Sequence, residues 1–344
     1  VRGAHRHGLK VLLYFGFEMG DVAEEWKHYR YELASQIPPQ PRAFLRVRCL
    51  SPPQAYYPID HGSQPYQDYL IEGISRLMRE FDIDGVYLDG THLAGGCSNP
   101  YHGHGWVDEK GERHPISFIW ESRRLMKRMY RVIKGRKPDG VIFAHTSAVV
   151  LAPTLSFADA FYNGEQLNPI VTRARKGGYK PPVEIVPLTT FRVLFYGRPW
   201  GVPCHLHPGR FELDEALSLS LLHDVFVAPY APNRERLARM GQIWRVYEEF
   251  GADEAEWHPY WEPSPPVLAE PEGKVLASCH RKGKEMLVVV SNLTARPLVA
   301  RLRLTEKARE ARDALSGEVV EVKGSEARVS LPPAGYRLLR LTFR

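Results

Sequence analysis

Apolar positions in the first 250 residues alternate between short continuous runs and helical spacing. Residues 11–15 and 86–88 are apolar runs typical of strands buried on both faces of a parallel sheet. Residues 66–81 and 118–135 place apolar side chains at the spacing of amphipathic helices. This alternation indicates a βα-repeated fold, and its length suits a (β/α)₈ TIM-type barrel.

The remaining elements extend the same pattern. Further strands are predicted over residues 43–52, 139–147 and 198–208, a short strand or turn over 155–168, and further helices over 213–229 and 233–251. About six or seven strands are counted, so the barrel is expected to lack its first βα unit. The chain opens on Val1 in what reads as the tail of a helix, which predicts a truncated or processed start. A signal peptide would then have been lost, so the sequence does not decide the cellular compartment, and export is one of the alternatives.

The pattern changes after a proline-rich stretch that begins at residue 262. Helical spacing disappears, and short alternating or apolar runs are separated by turn residues. This change predicts a catalytic barrel over residues 1–262 and a small antiparallel β-sandwich over residues 263–344.

Composition narrows the class of partner. The 46 Lys and Arg residues are scattered among 40 Asp and Glu residues, so the net charge of +6 does not indicate nucleic acid. No window approaches the roughly 18 apolar residues that span a bilayer. The four cysteines lie far apart without a CxxC spacing, which disfavours a zinc ribbon. A carbohydrate partner is expected, with neither nucleic acid nor a membrane.

Candidate chemistry lies directly after the predicted strands, where active sites of barrel enzymes occur. The stretch "DGVYLDGTH" ends an apolar run on Asp89, and "SFADAFYNGEQ" carries Asp159 and Glu165. Glycosidic cleavage needs one acid to protonate the leaving oxygen and one carboxylate as nucleophile or base. We therefore take Asp89, Glu165 and Asp159 as the catalytic candidates.

Aromatic and basic side chains near the same strand ends are the candidates for binding a sugar. Aromatic faces stack on sugar rings, and imidazole or guanidinium groups can hydrogen-bond hydroxyls. The candidates are His145, Tyr87, His92, Tyr162, Trp200, Arg48 and His205.

An insertion over residues 95–115 is rich in glycine and histidine. It contains Cys97, His102, His104 and His114, a set that could ligate zinc. The segment also reads as a lid over the mouth of the barrel, with a hairpin turning at "DEKG". The lid is the favoured interpretation, with no metal and no cofactor expected.

Several motifs in order carry a resemblance to a known family. "FDIDGVYLDGTH", "GCSNPYHGHGWVDEKGERHP", "KPDGVIFAHTSA", "LSFADAFYNGEQL" and "RPWGVPCHLHP" resemble the uncharacterised bacterial barrel proteins allied to glycoside hydrolase family 123. The resemblance implies a (β/α)₈ barrel that hydrolyses a glycosidic bond, in family 123 itself a β-linked N-acetylgalactosamine. There an Asp-Glu pair works with the substrate's own acetamido group.

The chain departs from that family pattern, because Asp89 is followed by Gly90 and no Asp-Glu pair ends a predicted barrel strand. A second resemblance, to retaining α-galactosidase-type barrels, fits Asp89 as nucleophile with Asp159 or Glu165 as the acid. The hypothesis is a glycosidase in which Asp89 is the nucleophile or orienting carboxylate and Glu165 the general acid/base. Two alternatives stay open. One is a non-catalytic sugar-binding barrel, and the other a metal-dependent hydrolase using His102, His104, His145 and Asp89.

Overall fold

The computed structural model describes residues 1–35, 45–91, 96–146, 149–229 and 233–344. The chain divides into two compact units. The first comprises Val1–Tyr162 with Arg198–Pro203, and the second Asn163–Gly197 with Cys204–Arg344. This division does not fall between residues 262 and 263, and the boundary predicted there stays a prediction.

The first half of the chain alternates strands and helices, as the sequence predicts. The strands are β1 (Leu12–Gly16), β2 (Glu18–Gly20), β3 (Leu45–Val47), β4 (Gln54–Pro58), β5 (Gly85–Asp89), β6 (Trp106–Val107), β7 (Arg113–His114), β8 (Val141–His145) and β9 (Ala160–Asn163). The helices are α1 (Arg2–His5), α2 (Glu24–Leu33), α3 (Gln64–Phe81), α4 (Ile119–Arg136) and α5 (Ala152–Leu155).

A parallel sheet with the strand order β1-β5-β8-β9 forms the centre of the first unit. Val86 and Leu88 of β5 are fully buried, and the amphipathic helices α3 and α4 bury Ile74 and Met129 in the same core. The apolar runs therefore form strands because helices cover the sheet face to which those side chains point. All carboxyl ends of these strands meet at one edge.

Two predicted strands differ from expectation. β1 is only partly buried, and Tyr14 within it is 63% exposed, because β1 has a neighbour on one side only among the described strands. β3 joins β4 in an antiparallel sheet with β2, outside the parallel sheet. An apolar run predicts a strand but carries no information on its direction.

The insertion contains the predicted hairpin. β6 and β7 pair antiparallel, and the amide of Gly111 donates to the carbonyl of Asp108 to close the turn. A short 3₁₀ helix, Pro100–His102, precedes the hairpin.

The second unit contains the helices α6 (Leu167–Ala174), α7 (Pro182–Ile185), α8 (Leu188–Phe195), α9 (Leu213–Leu222) and α10 (Arg234–Phe250). The sequence pattern predicts the last two of these helices but not the first three. Two short parallel strands, β10 (Cys204–Leu206) and β11 (Phe226–Val227), flank α9 in sequence. The described parallel strands number six, so closure into an eight-stranded barrel stays a prediction.

Antiparallel sheets follow, as predicted. Their strands are β12 (Glu256–His258), β13 (Val267–Glu270), β14 (Val275–Lys282), β15 (Glu285–Asn292), β16 (Leu298–Leu304), β17 (Ala308–Asp313), β18 (Val322–Lys323), β19 (Glu326–Leu331) and β20 (Tyr336–Phe343). One sheet has the order β12-β14-β15-β20-β17 and the other β13-β16-β19-β18. Val288 and Leu302, from different sheets, share one core.

The central strand β15 is buried on both faces. Met286 and Val288 point into the core between the sheets, whereas Leu287 and Val289 are also fully buried although they point the other way. The second face is covered by α9, since the Ser291 hydroxyl donates to the Ser218 carbonyl at 2.7 Å. Within the described part of the chain, no helix is long and apolar enough to cross a membrane.

Candidate functional site

Asp89 ends β5 at the carboxyl edge of the parallel sheet, as the sequence predicts. Its Oδ1 lies 2.8 Å from Nδ1 of His145, at the end of the neighbouring strand β8, and accepts from the Gly90 amide at 2.8 Å. Its Oδ2 accepts from the hydroxyl of Tyr14. The hydrogen bond to His145, with that from Tyr14, outweighs burial and lowers the pKa of Asp89 to about 2. The carboxylate is therefore charged at neutral pH.

Glu18, the first residue of β2, is a second carboxylate beside Asp89. Its Oε2 lies so close to the ideal Cβ position of residue 16 that a side chain there would clash with it. Its Oε1 lies 3.5 Å from the corresponding point of Gly90. Gly16 is the register partner of Asp89 on the next strand, so the missing side chain leaves room for the Glu18 carboxylate. Burial, and then the negative charge of Asp89, raise the pKa of Glu18.

The two carboxyl groups have pKa values displaced in opposite directions. Asp89 holds its charge because donors surround it, whereas Glu18 holds its proton to higher pH because it is half-buried beside that charge. Such a pair can act as a charged carboxylate and a proton donor in one site.

Aromatic rings line the sheet face below Asp89. Tyr14 stacks on Tyr87 with ring centroids 5.6 Å apart, and Tyr162 lies 6.1 Å from Tyr87 and 5.1 Å from His145. The rings come together because Tyr14, Tyr87 and Phe143 are aligned on adjacent strands. Tyr14 is exposed, so this aromatic face is open to a ligand.

Four of the predicted site residues are thus brought together in the first unit: Asp89, His145, Tyr87 and Tyr162. The predicted residue His92 lies outside the described residues.

Asp159 is not brought to Asp89. It precedes β9, so it lies at the amino edge of the sheet, about 10 Å along the strand from the carboxyl edge. There its carboxylate binds Lys134 at 2.6 Å and accepts from the Ile142 amide at 2.8 Å. These contacts are those of a structural residue that joins α4 to the start of β8.

The other predicted residues belong to other elements of the chain. Glu165 is exposed in the turn before α6, in the second unit, and its catalytic role stays a prediction. His205 lies in β10, where burial lowers its pKa. Trp200 belongs to a 3₁₀ helix and is 44% exposed, and Arg48 is exposed just after the antiparallel strand β3.

Glu18 and Tyr14 are the site residues that sequence reasoning misses. Both belong to "LLYFGFEMG", and Glu18 follows the end of the first predicted strand by three residues. The rule that picked out Asp89, a polar group just beyond a strand end, would have found Glu18 at β1. Tyr14 had no such signal, because a tyrosine within an apolar run reads as core.

The four residues of the metal-hydrolase alternative are not gathered at one point. His102 and His104 converge with Asp60 and Cys97, whereas His145 pairs with Asp89. Among the described residues, neither Asp89 nor His145 belongs to a group of three or more possible metal ligands.

Fold and site together define an α/β protein with a carboxylate pair at the carboxyl edge of its parallel strands and with antiparallel sheets in the C-terminal part of the chain. Residues 239–315 match the model described as the glycoside hydrolase 123, C-terminal domain, on 77 of the 344 residues. Over these residues the chain is similar to glycoside hydrolase family 123, which supports the resemblance that the sequence motifs predict. A comparison with curated protein sequences finds no match.

Solved structures of low sequence identity resemble the whole chain. A maltogenic alpha-amylase from Thermotoga neapolitana has 12% identity and a TM-score of 0.61 over 100% of this chain and 80% of its own. The alpha-amylase from H. orenii has 12% identity and a TM-score of 0.60 over 99% and 82%. A GH27 β-L-arabinopyranosidase from Geobacillus stearothermophilus has 13% identity and a TM-score of 0.58 over 98% and 75%. At such identities the likeness concerns the fold alone: these neighbours are TIM-barrel proteins with a C-terminal domain.

Proposed function

We propose that this protein is a glycoside hydrolase that acts on a carbohydrate at the carboxyl edge of its parallel sheet. The match to the glycoside hydrolase 123 C-terminal domain supports this class, and the similar solved structures are those of a maltogenic alpha-amylase and a β-L-arabinopyranosidase. The observation that carries the proposal is the Asp89 and Glu18 pair with oppositely displaced pKa values.

In this proposal the charged Asp89 faces the anomeric carbon, as nucleophile or as the carboxylate that orients the reacting group. Glu18 donates its proton to the glycosidic oxygen as the carbon–oxygen bond breaks. His145 and Tyr14 act as positioning residues, because their hydrogen bonds fix the Asp89 carboxylate and keep it ionised. The exposed ring of Tyr14, stacked on Tyr87, offers a face for the sugar ring.

Two replacements test the roles of the carboxylates on a panel of aryl glycosides. Asp89→Asn keeps shape and removes charge, so we expect the rate to fall by several orders of magnitude for every substrate while the fold survives. Glu18→Gln should cost about 10²–10⁴-fold with poor leaving groups and far less with nitrophenols, which leave without protonation.

Glu165→Gln is the matched comparison, since Glu165 is the acid predicted from the sequence. If Glu165→Gln shows the dependence on leaving group and Glu18→Gln does not, the proton comes from Glu165 and the assignment of Glu18 is wrong. A chain that binds sugars but hydrolyses none of the panel would instead be a sugar-binding barrel, and the proposed function would fall.

A further inference from the structure

A second cluster of reactive side chains lies within the first unit, apart from the Asp89 pair. Asp60, Cys97, His102 and His104 each direct one possible ligand atom to a common point, and these four atoms all lie within 4.8 Å of one another. Asp60 and Cys97 are fully buried, and the imidazole of His102 is 6% exposed. The cluster joins the turn before α3 to the first part of the insertion, residues 96–104.

The contacts of His102 show how its ring is oriented. Its Nε2 contacts the carbonyl oxygen of Glu32, which can only accept, so this nitrogen carries a proton. Its Nδ1 points the other way and lies 2.5 Å from Oδ2 of Asp60 and 3.4 Å from Sγ of Cys97. Three possible ligand atoms, a nitrogen, an oxygen and a sulfur, therefore face one another within the buried cluster.

In metal sites, a histidine ligand usually binds the ion through one ring nitrogen and donates the N–H of the other to a carboxylate, a carbonyl oxygen or water. That hydrogen bond fixes the tautomer and orients the ring toward the ion. His104 adds its Nδ1 at 2.5 Å from the same Asp60 oxygen. Gly103 separates the two histidines in a left-handed conformation, φ 69°, which lets both rings turn to the same side.

The other ligand atoms are held in place as well. Oδ1 of Asp60 accepts from the Gly62 amide at 2.6 Å, so its second oxygen is free to point into the cluster. Sγ of Cys97 accepts from the Asn99 amide at 3.3 Å. The Asn99 side chain donates to the carbonyls of Tyr31 and Ala34 at 2.7 and 2.8 Å, which ties the loop to the end of α2.

We propose that Asp60, Cys97, His102 and His104 form a structural zinc site. One thiolate, two imidazoles and one carboxylate fill a tetrahedral shell, and the thiolate favours zinc over magnesium or calcium. Ligand atoms around a tetrahedral zinc lie about 3.3–3.8 Å apart, so the pairs at 2.5 Å need to open by about 1 Å. All four positions come from the protein, which makes the site structural, with the ion linking the insertion to the turn before α3.

Metal analysis of the full chain, purified without chelator, tests the proposal independently of any glycosidase activity. We expect one zinc per chain, lost in Cys97→Ser and in His104→Gln. His114→Gln is the matched control, because His114 lies in the same insertion with Asp108 and Glu112, in a separate group. Zinc retained in His114→Gln and lost in the other two supports the site. Zinc lost only in His114→Gln, or no zinc bound after dialysis against micromolar zinc, overturns it.

A second measurement does not depend on the variants folding. Cobalt added to the metal-free, unmodified chain should give the charge-transfer absorption of a thiolate–cobalt bond and the intense visible bands of a tetrahedral ion. Zinc should raise the Tm of that chain by about 5–10 °C. Cobalt that binds without a thiolate band would show that Cys97 is not a ligand and would overturn the proposed set.

Discussion

At the scale of single residues, the roles proposed for Asp89 and Glu18 require opposite protonation states. Asp89 must be ionised, which holds above a pH of about 2, and Glu18 must be protonated, which holds up to a pKa raised above its ordinary 4.5. We therefore expect kcat/KM to be high between these values and to fall as the pH rises through the pKa of Glu18. The pH profile of wild type measures this.

The variant Glu18→Gln, assayed with an activated nitrophenyl glycoside, is the control for that profile. It has no proton to lose, so the fall at higher pH should disappear. A basic limb unchanged in Glu18→Gln would assign the proton donor to another group.

The space at Gly16 gives a second prediction. A methyl group there would clash with Oε2 of Glu18, and because a glutamate end is flexible, the carboxylate should move while the fold survives. Gly16→Ala should lower kcat/KM by about 10²-fold with little change in Tm, since such losses follow a displacement of about 1 Å.

Gly20→Ala is the matched control, because the added methyl would meet a Tyr56 ring carbon at an ordinary 3.6 Å. Equal losses of activity in both variants would mean that the space at Gly16 has no special role.

The sequence predicts Asp89 and His145 as parts of this site for a physical reason. Asp89 and His145 end apolar runs, and a run that ends on a polar group can be read without a partner strand. The contact of Glu18 with Gly16 and Gly90 depends on the return of the chain through β2, which no local pattern shows. The position of Asp159 depends on where β9 begins. A carboxylate before a parallel strand lies at the amino edge of the sheet and one after it at the carboxyl edge, and the apolar pattern of residues 155–168 does not fix that start.

At the scale of elements, long amphipathic segments were predicted well and short irregular ones were not. α3, α4 and α10 have enough turns to display a periodic face, and the C-terminal strands alternate clearly. α6, α7 and α8 are short and separated by a loop rich in glycine, proline and lysine, so they show no period. β3 reads like a barrel strand because direction is set by the partner strand.

The start of β5 is held by one carboxylate, which predicts a measurable loss of stability. Asp84 lies 2.8 Å from Lys137 and 2.7 Å from His5, and accepts from the Val11 amide at 2.7 Å. Although burial opposes it, these hydrogen bonds lower the pKa of Asp84 to about 2. Asp84→Asn should reduce the free energy of unfolding at pH 7 by about 1–2 kcal/mol in urea denaturation.

The sign of its pH dependence follows from the depressed pKa. The contribution of Asp84 is complete above its unfolded pKa of about 4 and is lost as the pH falls toward 2, so the two proteins should converge in acid. Asp139→Asn, which removes only an exposed pair with Lys10, should unfold like wild type. A constant difference between Asp84→Asn and wild type from pH 7 to pH 2 would contradict the electrostatic explanation.

At the scale of the whole molecule, one of the C-terminal sheets packs against the other sheet on one face and against α9 on the opposite face. Leu287 points away from the core between the sheets, yet it is fully buried on the side of α9. A free-standing sandwich would tolerate a small residue there, whereas here Leu287→Ala should cost about 2–5 kcal/mol of unfolding free energy, as for other buried leucines.

Val299→Ala is the control, since Val299 in β16 is 62% exposed. Equal unfolding midpoints for Leu287→Ala and Val299→Ala in guanidinium would show that this face of β15 is open to solvent.

The two-faced burial of β15 also matters while the chain is being made. Residues 286–290, Met-Leu-Val-Val-Val, have the composition of segments that aggregate, and their partner β20 begins at Tyr336, 44 residues after β15 ends. At about 5–20 residues per second, the ribosome leaves this edge unpaired for about 2–9 s. Lys282, Lys284 and Glu285 stand immediately before the apolar stretch, where charge opposes self-association until β20 emerges.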